Sequence, residues 1–208
     1  MKKILVVVDM QKDFIDGVLG SEQAQAIVQP VVERIEEFKK DHEAYCIICT
    51  LDKHYDEMQL TTGDQIASFE NSGRNDYESS REGKHLPVPH CVYGTEGYEL
   101  HSDVANASRW IRSYLLPKQS FGSREMYEVL FMNEYLGLNN DVKRTEEYQF
   151  EFVGLCTDLC VLANVITVQS FCPNSEIYLN TKCCAGSTVE MHNKAIEIMR
   201  NMHINIIE

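Results

Sequence analysis

Short apolar runs separated by helix-period segments limit what this chain can fold into more than any other feature. Five runs rich in β-branched or aromatic residues stand out: Ile4–Val8, Tyr45–Leu51, Trp110–Leu116, Tyr148–Leu155 and Glu176–Leu179, with a weaker sixth at Ile204–Ile207. They read as apolar throughout rather than half polar, so both faces of each strand are expected to be buried. Between them, Ala26–Lys40 sets Ile27, Val31, Ile35 and Phe38 on one stripe, with Pro30 near a helix start where proline suits the first turn. Arg124–Leu136, Leu159–Phe171 and Val189–Met202 read as further helices, the last with Ser187 or Thr188 as its cap. This alternation predicts an α/β fold: a Rossmann-like parallel sheet of five or six strands with helices on both faces.

The stretch from Asp52 to about Asn106 breaks the alternation. It is long, polar and rich in Gly, Ser, Glu and His, and such a loop is either a functional lid or a disordered insert. We read one domain over 1–208 that carries this insertion at about 52–106. A net charge of -13 speaks against nucleic-acid backbone binding, which needs clustered cations. No run approaches the roughly 18 apolar residues of a membrane span. Lys2-Lys3 and the five apolar residues after them meet Asp9 without a small-residue cleavage site, which favours a buried first strand over a signal peptide. A soluble cytoplasmic protein is therefore expected, with its eight cysteines reduced. Cys46 and Cys49 have Cys-x-x-Cys spacing, but in a strand they point to opposite faces and read as packed thiols, as do Cys183 and Cys184.

Sites in open parallel sheets gather at the carboxyl ends of the strands. Asp9 ends the first strand, Asp52 follows the second, Lys118 the third and Cys160 the fourth. In Gly154-Leu155-Cys156-Thr157-Asp158-Leu159-Cys160-Val161, Thr157 or Asp158 can cap the helix and place Cys160 in its first turn. Free N–H groups and the helix dipole there favour a thiolate and can receive a tetrahedral oxyanion. Alone, such a cysteine is more often a buried packing residue. Asp9 is expensive at a buried strand end unless paired or placed to exchange protons. A structural Asp9–Lys118 ion pair is the bland alternative; with Asp9 and Lys118 on neighbouring strands and Cys160 beside them, a Cys–Asp–Lys triad is the better reading. Asp52 and His54 put a carboxylate and an imidazole within reach of one ion.

Asp9-Met10-Gln11-Lys12-Asp13-Phe14, Thr50-Leu51-Asp52-Lys53-His54, Pro89-His90-Cys91-Val92, Pro117-Lys118 and the Gly154–Val161 segment occur in order. Together they resemble the isochorismatase-like cysteine hydrolases, and within them the nicotinamidase (pyrazinamidase) branch, over nearly the whole chain. The resemblance implies hydrolysis of nicotinamide to nicotinate and ammonia, an amidohydrolase step of NAD salvage, through a Cys160 thioester. Cys160 is then the nucleophile, Asp9 the proton-transfer residue and Lys118 the third member. The N–H groups of Cys156 and Cys160 form the oxyanion hole, with a cis bond before Cys156. Asp52, His54 and His90 hold one divalent metal, zinc with iron or manganese as alternatives, which positions the substrate. Glu82 is the candidate fourth ligand, with His85 behind it. Phe14, Leu155 and Phe121 line the substrate pocket. Partners are a small-molecule substrate, neither nucleic acid nor membrane, and, by the family's habit of forming dimers or tetramers, further copies of the chain in a homo-oligomer. Alternatives are another small-amide, carbamoyl or ureido hydrolase, or isochorismate hydrolase, of this fold, or a silent metal-binding homologue. Two departures bear on substrate: Leu86, Pro87, Val88 and Pro89 precede His90 where many nicotinamidases carry an aromatic, and the insertion is longer than in compact members.

Overall fold

The computed structural model describes residues 1–55, 81–127, 130 and 148–208, with only the backbone of Arg81, Glu82 and Tyr127. Six strands, β1 (Lys2–Val8), β2 (Ala44–Asp52), β3 (Ser113–Lys118), β4 (Tyr148–Leu155), β5 (Glu176–Ala185) and β6 (Asn205–Ile207), make one sheet in the order β3-β2-β1-β4-β5-β6. Every pairing is parallel. The chain winds outward from β1 in one direction and then from β4 in the other. That places a topological switch point, and hence a crevice, between the carboxyl ends of β1 and β4.

Helices cover both faces because both sides of the central strands are apolar. Ile4, Val6 and Val8 look toward α3 (Leu162–Phe171) and α4 (Val189–Asn201), where Val165, Val168, Ala195 and Met199 join one buried layer. Leu5 and Val7 face α1 (Val28–Phe38) and α2 (Ser102–Ala107), against Val31, Ile35, Phe38 and Val104. Burial of these side chains at about 25 cal/mol per Å² of apolar surface is the main force closing the layers. Cys46 belongs to the first layer and Cys49 to the second, as opposite strand faces require. All eight cysteines are free. Among the described residues no helix is long and apolar enough to cross a membrane.

Several boundaries differ from the sequence reading. α1 starts at Val28, so Pro30 falls in the first turn, where a missing N–H removes no intrahelical bond. A separate turn, Glu22–Ala26, precedes it and is capped by Ser21. Trp110 is not in β3; it packs edge-on against Phe38 at 6.2 Å, and the strand instead runs on to Lys118. β5 continues past Leu179 to Ala185, because its polar Asn180 is held by Glu151 and Thr181 by the carbonyl of Ile207. Only Glu125–Tyr127 of the expected Arg124–Leu136 helix is described as a helix; most of the remainder lies outside the described residues.

Candidate active site

The strand register assembles the rim. Val8 pairs with Thr50 on one side and Gly154 on the other, so Asp9, one step beyond, emerges between the ends of β2 and β4. Its φ of 47° is in the left-handed region, an uncommon and strained conformation for a residue other than glycine. Gly154 on β4 has φ 113°, and a Cβ there would meet the carbonyl oxygen of Val8 at 2.1 Å, so only glycine lets β4 pass this close. β2 lies between β1 and β3, so Asp9 and Lys118 are not on neighbouring strands as the sequence suggested. The long Lys118 side chain reaches across the end of β2 instead.

Four groups meet there in near-complete burial. Lys118 Nζ lies 2.7 Å from Asp9 Oδ2, 3.3 Å from Asp52 Oδ1 and 3.5 Å from Cys160 Sγ. Thr50 donates its hydroxyl to Asp9 Oδ1 at 2.7 Å and accepts from the Asp9 backbone N–H. The ion-pair contact to Lys118 leaves Asp9 Oδ2 without a well-aligned hydrogen-bond donor among the described residues. Burial pushes the Asp9 carboxyl above its ordinary range, against the pull of Lys118. Burial also pushes the Cys160 thiol up, Asp9 and Asp52 add to the rise, and Lys118 opposes it. Burial therefore favours the thiol, against the thiolate that helix position favours. Burial disfavours the Lys118 ammonium, yet Asp9, Cys160 and Asp52 together hold its pKa well above the usual lysine value.

The turn that carries Cys160 also differs from expectation. Neither Thr157 nor Asp158 caps it: residues Thr157–Val161 form a π-helical turn whose N-cap is Cys156. The Cys156 carbonyl accepts from both Leu159 and Val161 N–H, and nothing among the described residues accepts from its own N–H. The Leu155–Cys156 peptide bond is cis. Asn164, fully buried, donates to the carbonyls of Cys160 and Phe121 and accepts from Ser123 N–H, tying the nucleophile turn to the segment after β3.

Beside this cluster, Asp52, His54 and His90 direct one ligand atom each into a space where all lie within 4.8 Å of one another. His54 Nε2 and His90 Nε2 stand 2.9 and 3.4 Å from Asp52 Oδ2. His90 Nδ1 sits 2.9 Å from the Val88 carbonyl, a contact that favours the tautomer with the proton on Nδ1 and the lone pair on Nε2. Burial opposes ionisation of Asp52, but Lys118, His54 and His90 outweigh it and hold the carboxyl below the usual range. An anionic oxygen and two imidazole nitrogens at this spacing fit a divalent ion of the zinc, iron or manganese type. The Glu82 side chain lies outside the described residues, whereas His85 is exposed and borders the cavity.

Supports of this centre escaped the sequence reading. The buried amide of Gln11 accepts from Asp52 N–H at 2.7 Å and donates to the Asp52 carbonyl at 2.9 Å and that of Tyr98 at 2.8 Å. Asp13 accepts from Cys91 N–H at 2.8 Å, steadying a residue whose φ is 47° directly after His90. Both belong to the Asp9–Phe14 motif, and their polarity next to an apolar strand was the available signal. A cavity of ≈ 960 Å³ opens over the site, with Phe14, Leu155, Phe121, His54 and Cys160 among its walls. Phe14 also packs against His90 at 5.3 Å between ring centroids.

A doubly wound parallel sheet with a buried thiol, carboxylate and ammonium at its switch point defines the class of protein. The Isochorismatase domain model matches residues 3–208, and the chain belongs to that family. It is 27% identical to a nicotinamidase of Schizosaccharomyces pombe over 217 aligned residues, covering 98% of this chain and 91% of the relative. A nicotinamidase/pyrazinamidase structure from Bacillus subtilis superposes with a TM-score of 0.72 at 20% identity, covering 100% of both chains. A Pyrococcus horikoshii pyrazinamidase in complex with zinc gives 0.67 at 22% identity, covering 100% of this chain and 99% of the other. At these identities the two structures share the fold.

Proposed function

We propose that this chain is a cysteine amidohydrolase that converts nicotinamide to nicotinate and ammonia. The observation that carries the reading is Lys118, which touches Cys160 and Asp9 on one side and Asp52 of the imidazole–carboxylate set on the other. Nucleophile and substrate anchor are thereby held in one fixed relation. The nicotinamidase relative and the Phe14 ring in the cavity wall support an aromatic amide as substrate.

Asp52, His54 and His90 would hold the metal, which supplies a Lewis-acid anchor for the pyridine nitrogen. The reaction itself is assigned to the chain's own groups. Asp9 Oδ2 takes the Cys160 thiol proton as sulfur attacks the carboxamide carbon. Burial raises the proton affinity of both partners, so the thiol keeps its proton until attack and passes it to Asp9 in that step. The N–H groups of Cys156 and Cys160 receive the oxyanion, and the Lys118 ammonium balances negative charge beside it. Asp9 then returns the proton to the departing ammonia and leaves a Cys160 thioester. It next removes a proton from water, which attacks the thioester, and nicotinate departs as the thiol regains its proton. Ammonia release from nicotinamide, run beside a carbamoyl and a ureido amide, tests this substrate. Preference for nicotinamide is expected; turnover of the ureido amide alone would move the chain to another branch of its family.

A further inference from the structure

The nucleophile turn is held from behind by groups that the proposed chemistry does not use. Thr157, fully buried in the π turn, sits with Oγ1 2.8 Å from His192 Nδ1. His192 belongs to the first turn of α4, whose N-terminus is capped by Thr188 accepting from Met191 N–H. Asp158, the next residue of the turn, accepts from Ser187 N–H at 2.7 Å and from the Ser187 hydroxyl at 2.6 Å. A Cβ on Gly186 would meet Asp158 Oδ1 and His192 Cβ at 2.8 Å each, so the two clamps close around a glycine. Burial lowers the His192 pKa and favours the neutral ring, whose tautomer sets which of the two atoms donates.

We propose that His192 is a positioning residue: through Thr157 it fixes the π turn, and with it the direction of the Cys156 and Cys160 N–H groups and of the Cys160 sulfur. Asp158 and Ser187 hold the other side of the same turn. The π turn has no side-chain cap of its own, so these contacts from α4 and its approach replace one. A misplaced turn weakens the oxyanion contacts, which exist only once the carbonyl has been attacked, so kcat falls while KM holds.

The kinetic arm of the test rests on the amidase reading; the chemical arm does not. Purified, metal-loaded wild type, His192→Ala, His192→Asn, Thr157→Val and the His192→Ala/Thr157→Val pair are assayed for ammonia release and for the rate at which iodoacetamide alkylates Cys160, read by peptide mass. Expected are a kcat for His192→Ala about tenfold below wild type at unchanged KM, and a matching slowing of alkylation. His192→Asn, which keeps a polar atom near the Nδ1 position, restores both, and Thr157→Val adds nothing to His192→Ala. If His192→Ala does not fold, Thr157→Val removes the same hydrogen bond from the other side and carries the comparison. Wild-type alkylation and turnover in folded Thr157→Val and His192→Ala would overturn the assignment, as would additive losses in the pair. A wild type inert toward nicotinamide but with alkylation still dependent on His192 would reject the substrate and keep the positioning role.

Discussion

Two ion clusters on the same sheet, one half-buried and one buried, are built on opposite plans. On the α1 face, Glu151 receives Arg34 through two parallel bonds of 2.7 and 2.6 Å, and Asn180 donates to it at 3.0 Å. Donors and acceptors match, and the fork geometry leaves little unspent. At the carboxyl rim, one ammonium is shared among two carboxylates and a thiol, and Asp9 Oδ2 has no well-aligned donor among the described residues. The first cluster is saturated and holds the fold. The second is under-satisfied, and burial displaces the proton affinities of Asp9 and Cys160, as at sites that exchange protons.

Substitutions break that comparison in a definite order. Asp9→Asn is expected to lower kcat/KM by about a thousandfold, the middle of the range for a lost proton-transfer group, with little change in melting temperature. In the wild type, the raised Asp9 pKa predicts an acid limb of kcat/KM above the ordinary aspartate value of 3.8, because the base is lost as pH falls through that raised value. A profile flat down to pH about 4 would reject Asp9 as the base. Glu151→Ala should do the reverse: a stability loss of ~3 kcal/mol in urea unfolding, at the low end for a broken buried pair because Arg34 keeps partial solvent access, with turnover per folded molecule unchanged. Gln11→Leu removes the clamp on Asp52 and should weaken zinc binding about tenfold by chelator competition, while His90→Ala weakens it more. Equal affinity in Gln11→Leu and wild type would confine Gln11 to folding.

Much of this difference was legible in the chain. Asp9, Asp52, Lys118 and Cys160 each follow or end an apolar run, and a parallel sheet brings such positions to one rim. What sequence does not encode locally is which strands are adjacent, so Lys118 was placed beside Asp9 although β2 intervenes. Nor could helix position reveal that burial opposes ionisation of Cys160. Gln11, Thr50 and His192 escaped because their partners lie 35 to 87 residues away, and Asn164 because its bonds to Phe121 and Ser123 span 43 and 41 residues. Only tertiary structure creates those bonds.

The most direct test is ammonia release from nicotinamide by metal-loaded Cys160→Ala, compared with wild type at equal zinc content. If the rim is a cysteine amidase site, the variant releases no ammonia above the uncatalysed background while it folds and binds zinc as wild type does. Release at the wild-type rate would contradict the account, because the metal set would then suffice without the thiol.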